Sequence, residues 1–222
     1  ASAMARPRRI VLCDSSGGRA RETAAFLERD PGLQVAGVFG GVEAMLARLE
    51  ELAPDLIALD LGTAGTDVAA VVGPLVQERQ LPIVLLGGRP KRDDERIAAA
   101  LAAGALEAIV EDRLRLDDPE SVWAVALRSR VKRLANVQLR RGEMDPAVAA
   151  AKPRPWRRPG AAYRAVGIGA SVGGPPALIE VLGRLPRDFP LPVLVVQHMA
   201  PGFGEGLTAW MDRSVPPPVA VA

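Results

Sequence analysis

Leu56-Ile57-Ala58-Leu59-Asp60 is a run of four apolar residues that ends in a carboxylate. A strand half exposed to water alternates apolar and polar residues. A run apolar on both sides fits a parallel strand covered by helices on each face. Segments 10–13 and 83–86 read the same way, and 34–39 and 108–110 complete a set of five strands. Helical patterns lie between and after them, near 19–29, 42–52, 68–77, 93–103 and 119–133. Five strands alternating with five helices predict an α/β fold, a doubly wound parallel sheet of the flavodoxin-like kind. Asp117 and Asp118 supply cap oxygens for the last helix, and Pro119 suits its first turn.

Two carboxylates follow strands of this sheet: Asp14 after the first and Asp60 after the third. Open α/β sheets gather their ligands at the C-terminal strand edge, so both should meet there. Such a pair can bind Mg²⁺ weakly through oxygen, one member can accept a phosphoryl group, or both can simply cap turns. No other metal or cofactor site is expected.

The alternation stops in a stretch where Arg140, Arg141, Lys152, Arg154, Arg157 and Arg158 mix with four prolines, a composition suited to a semi-rigid exposed linker. A second strand–helix–strand–helix pattern starts at Val166. The predicted organisation is therefore a domain over 7–138, a basic linker over 139–163, and the N-terminal part of a second parallel α/β domain over 164–222. Two strands with two helices are few for a stable domain, so the second unit is expected to be incomplete.

In this second unit Gly169-Ala170-Ser171-Val172-Gly173-Gly174-Pro175-Pro176 carries a serine from a strand tip into a helix, and the single histidine, His198, also ends an apolar strand. In a parallel sheet the two would emerge on one edge, as a nucleophile and its base must. The backbone N–H groups of Val172, Gly173 and Gly174 are the available oxyanion donors, since Pro175 and Pro176 have none. Residues 169–173 match the five-residue nucleophile elbow but not its usual continuation. A glycine-rich turn also suits phosphate binding without catalysis, and a lone histidine also suits a surface hydrogen bond. On the residues alone, catalysis, anion binding and a structural role all stand.

Of the 222 residues 49% are apolar and only 4% aromatic, so a core can form, packed by Ala, Leu and Val. A formal charge of +2 is too balanced to point to nucleic acid. The single cysteine, Cys13, fits a reducing compartment. With no long apolar run and no signal-peptide core at the start, no membrane insertion is predicted, and the expected location is the cytoplasm.

Val11-Leu12-Cys13-Asp14-Ser15-Ser16, residues 54–61 and Ala103-Gly104-Ala105-Leu106-Glu107-Ala108 together resemble a response-regulator receiver domain. The resemblance puts Asp60 at the phosphoacceptor position and Asp14 at an acidic metal-binding position. It also marks departures: Ser15 for a second acid, Gly87 for Ser or Thr, Glu111 for the usual Lys, and Thr63-Ala64 for Met-Pro. A glutamate facing a phosphoryl group reverses the expected charge, so a degenerate, docking-type receiver is implied. Residues 168–175, 185–190 and 195–203 are similar to the catalytic domain of CheB-type protein-glutamate methylesterases. That family joins a receiver to a hydrolase, in the order seen here. The resemblance implies Ser171 as nucleophile and His198 as general base. The implied reaction is hydrolysis of glutamate γ-methyl esters on methylated chemoreceptors in two-component chemotaxis signalling, with glutamine deamidation as a second activity. A sensor histidine kinase is the implied upstream partner. Val172 stands where the family has Thr, and the family's triad aspartate lies farther downstream than Asp212. The chain alone is therefore expected to be inactive. The alternative is a non-catalytic regulatory scaffold that binds a partner through the receiver-like unit.

Overall fold

The computed structural model describes residues 6–65, 67–89, 92–109, 118–139, 163–199 and 203–222. The linker's basic residues, Asp117 and Glu111 lie outside the described residues. Five parallel strands, β1 (Arg8–Cys13), β2 (Leu33–Phe39), β3 (Leu56–Asp60), β4 (Ile83–Leu86) and β5 (Glu107–Ile109), form one sheet in the order β2-β1-β3-β4-β5. The helices are α1 (Gly18–Leu27), α2 (Val42–Leu46), α3 (Leu49–Leu52), α4 (Val68–Gln77), α5 (Asp94–Ala102) and α6 (Val122–Leu134).

Why the central strands are continuously apolar is visible in the two cores. Val11, Ile57, Leu59 and Leu85 pack with Met45, Val68, Val72 and Ile97 on one face of the sheet. Ile10, Leu12, Ala58 and Val84 pack with Phe26, Leu127 and Val131 on the other. Both faces are covered, as the unbroken apolar runs require. Against α6, Arg128 lies over the Phe26 ring and donates to the Pro119 carbonyl, so its buried charge is satisfied.

Two helix expectations are corrected. The single helix expected over 42–52 is two, because a turn at Ala47 and Arg48 separates α2 from α3. Met45 and Leu49, one from each helix, are both buried against the sheet. The last helix starts three residues later than Pro119. The Ser121 hydroxyl, not an aspartate, accepts the Ala124 N–H and caps it.

The second unit holds a parallel pair, β6 (Val166–Ala170) and β7 (Val193–Gln197), with α7 (Gly174–Leu182) and α8 (Gly204–Ser214). Leu178, Leu182, Leu207, Met211 and Val215 form its small core. It also shares the core of the first unit. Phe203, 3% exposed, is buried in the same cluster as Ile97 and Leu101 of α5, and Met199 packs beside it. Arg213 of α8 pairs with Glu95 at 3.6 Å across the same contact.

Candidate active site

Strand register decides what meets in the second unit. Ala170 of β6 is paired with Gln197 of β7. The next residue on each strand is therefore Ser171 on one and His198 on the other, at the same level of the sheet. The His198 N–H donates to the Ala170 carbonyl at 2.9 Å, which ties the two strand ends together. Ser171 and His198 line one cavity of about 30 Å³, without a direct hydrogen bond between their side chains.

Gln197, which sequence reasoning passed over, clamps this corner. Its Nε2 donates to the Ser171 carbonyl at 2.9 Å and to the His198 carbonyl at 2.8 Å. Two acceptors fix which end of the amide faces them. Its Oε1 is buried without a partner. That oxygen lies where a Cβ on Gly174 would sit, and the Ala170 Cβ is 2.9 Å from the same point. We therefore expect Gly174→Ala to push Gln197 out and misplace Ser171. The variant should stay folded while Ser171 loses most of its labelling by a serine-directed phosphonate, measured by intact-protein mass spectrometry.

The three expected donors differ in availability. Gly173 caps α7 in the left-handed region (φ 70°) and its N–H reaches the carbonyl of Leu106, the residue before β5, at 3.4 Å. The Gly174 N–H closes the turn onto the Ser171 carbonyl at 2.8 Å. Only the Val172 N–H has no partner among the described residues. The first unit forms the opposite wall of the cavity through Ile97, Leu101, Leu106 and Glu107. Glu107 is held by an ion pair with Arg130, and its second carboxylate oxygen is buried without a partner. Asp212 is turned to another task, accepting the Val219 N–H at 2.8 Å.

In the first unit Cys13 is paired with Leu59, so Asp14 and the end of β3 reach the sheet edge level with each other. Asp14 is 8% exposed and accepts the Ser16 N–H at 2.8 Å. Asp60 accepts the Thr63 N–H at 2.9 Å and its hydroxyl at 3.2 Å. That hydroxyl also meets Ser15, its Oγ1 lying 3.0 Å from the Ser15 hydroxyl and accepting the Ser15 N–H at 2.7 Å. A Ser15–Thr63 latch thus spans the edge where the resemblance expects a second acid. No group of three or more His, Cys, Asp or Glu placed to hold a metal occurs among the described residues.

The two carboxylates act on the residue between them. Burial, then the charges of Asp60 and Asp14, lift the Cys13 thiol from 9.0 to about 11. A folded-state pKa above the unfolded one means stability intact below pH 9 that declines as pH rises toward 11, where only the unfolded thiol ionises. At pH 8 a two-unit shift cuts the thiolate about 100-fold. Iodoacetamide should accordingly alkylate native Cys13 at least about 100-fold more slowly than the denatured chain.

The fold and site define a class: a five-stranded α/β domain joined to a second α/β unit that brings a serine and a histidine to neighbouring strand tips. A sequence profile of the CheB methylesterase family matches residues 166–222. The chain is 34% identical over 220 residues to protein-glutamate methylesterase/protein-glutamine glutaminase 3 of Myxococcus xanthus, covering 98% of this chain and 60% of that protein. It is 35% identical over 225 residues to number 4 of the same organism, covering 97% and 62%. The response-regulator domain of Thermotoga maritima CheB superposes with a TM-score of 0.51 at 17% identity, covering 60% of this chain and 99% of that domain, a likeness of fold. Over nearly its whole length this chain is similar to CheB-type protein-glutamate methylesterases, and its first unit has a receiver-type fold. It spans 60–62% of the length of those two Myxococcus relatives.

Proposed function

We propose that the protein is a protein-glutamate methylesterase of chemosensory signalling, organised as a receiver over 7–138, a linker over 139–163 and a catalytic domain from 164 onward. The observation that carries this reading is the β6–β7 register, which sets Ser171 and His198 on level strand tips. His198 Nε2 or Nδ1 takes the Ser171 hydroxyl proton as Oγ attacks the ester carbonyl of a methylated glutamate. The Val172 N–H faces the developing oxyanion. Methanol leaves with the proton from the imidazolium, and water then releases the free glutamate and the serine. With a glutamine substrate the same steps release ammonia. The substrates are methylated chemoreceptors, and a sensor histidine kinase is the upstream partner. No described helix is long and apolar enough to cross a membrane.

The narrow part of the cavity, about 30 Å³, has room for roughly one water, while Ser171 and His198 themselves are exposed at the strand ends. The lack of a hydrogen bond between the Ser171 and His198 side chains favours a second reading, a regulatory scaffold in which the serine turn is unused. Methanol release from methylated receptor membranes, assayed with the whole protein, separates the two. Release that depends on Ser171 supports the esterase, and no release above background, or a background release unchanged by Ser171→Ala, supports the scaffold.

A further inference from the structure

A cavity of about 420 Å³ opens beside Asp60 at the other end of the first unit's sheet, and it is lined by four arginines, Arg19, Arg89, Arg92 and Arg96, and two carboxylates, Asp60 and Asp93. Four cations less two anions leave a charge of +2 at the cavity wall. The charges are not equally free. Arg96 is committed, pairing with Asp93 at 3.0 Å, donating to the Leu61 carbonyl at 2.7 Å and also to the Gly65 carbonyl. Asp93 also accepts the Arg89 N–H at 2.9 Å. Burial alone would raise the Asp93 pKa, but the Arg89 N–H and the Arg96 guanidinium hold it below its usual range, so this pair stays ionised and self-compensated. Arg19, Arg89 and Arg92 make no ion pair among the described residues, although the Arg92 charge also helps to lower Asp93, and Thr63 donates to only one oxygen of Asp60, Oδ2. The backbone N–H groups of Gly62 and Gly88, both on the wall, have no backbone partner there.

We propose that this cavity binds a phosphate monoester non-covalently and without a metal, its dianionic end held by Arg19, Arg89 and Arg92. A guanidinium offers two parallel N–H donors that match two phosphate oxygens, and three of them exceed the single Asp60 charge by two. The volume is far larger than a phosphate group needs, leaving room for the organic part of the ester. Covalent phosphorylation would make Asp60 the essential nucleophile and would need a metal beside it. In a non-covalent anion site, Asp60 is instead the repulsive neighbour. The two chemistries thus predict opposite effects for one substitution.

The test is a titration of the ¹⁵N-labelled chain at low salt with inorganic phosphate and, separately, with ribose 5-phosphate, both in EDTA, following the Gly62, Gly87 and Gly88 amides. Saturable shifts are expected with both probes, ribose 5-phosphate binding at least as tightly. Arg89→Gln/Arg92→Gln should weaken binding about 10-fold or more, and Arg19→Gln on the neighbouring helix should weaken it independently. Asp60→Asn should tighten binding several-fold, about 3-fold or more, by removing like charge. A distant Arg48→Gln should leave it unchanged. The proposal is overturned by any of four results: no saturable shift, binding that appears only with Mg²⁺, loss of binding in Asp60→Asn, or unchanged affinity in well-dispersed spectra of the arginine variants.

Discussion

Ser171→Ala is expected to lower methanol release from methylated receptors by on the order of 10⁴-fold or more, with His198→Ala close behind, when the whole protein is assayed. The two losses should not add, because a nucleophile without its base and a base without its nucleophile are the same defect. Their expected size follows from the geometry. Ser171 and His198 stand one residue beyond a paired position, so neither side chain has another route to the cavity. Circular dichroism should be unchanged in both, since each is exposed at a strand end. A double variant much worse than either single one would show that the residues act separately, and the proposed mechanism would then fail.

Phe203→Ala is expected to cost about 3–5 kcal/mol, the usual range for emptying a buried phenylalanine site. Phe203 is 3% exposed, and its neighbours come from the first unit's core rather than from its own. The loss therefore falls on the contact between the two units. For a chain of this size it should lower the melting temperature by roughly 6–15 °C. Guanidinium unfolding should then show the second unit separating before the first, because the Arg213–Glu95 pair is exposed and worth little. The Gly173 N–H, no longer held near Leu106, should exchange its proton faster. A melting temperature unchanged within about 1 °C would mean that the Phe203 burial carries no energy.

Much of this was legible from residue order. Continuous apolar runs at 56–59 and 83–86 require cover on both faces, and that requirement alone leads to parallel strands with helices on each side. The serine turn was equally legible, because a glycine-rich strand–turn–helix leaves few places for a hydroxyl to point. The helix ends were not: Ser121 rather than Asp118 caps α6 because its hydroxyl meets the Ala124 N–H, a matter of local geometry. The Gln197 clamp was also invisible, since a glutamine at a strand end has no pattern of its own. The arginines at 89, 92 and 96 carried a spacing that could have been noticed, but not the fact that Arg19, distant in sequence, faces them.

The sequence by itself determined the α/β layering, the position of the carboxylates at one sheet edge and the placing of a serine and a histidine at strand tips, because those follow from periodicity and local turn chemistry. Only the tertiary structure decided which backbone donors are spent, that β5 forms one wall of the Ser171–His198 cavity, and that four arginines converge beside Asp60. Each of these depends on contacts between segments far apart in the chain. Such contacts are fixed by packing and by which hydrogen bonds remain unmade, and neither leaves a local trace in the residue order.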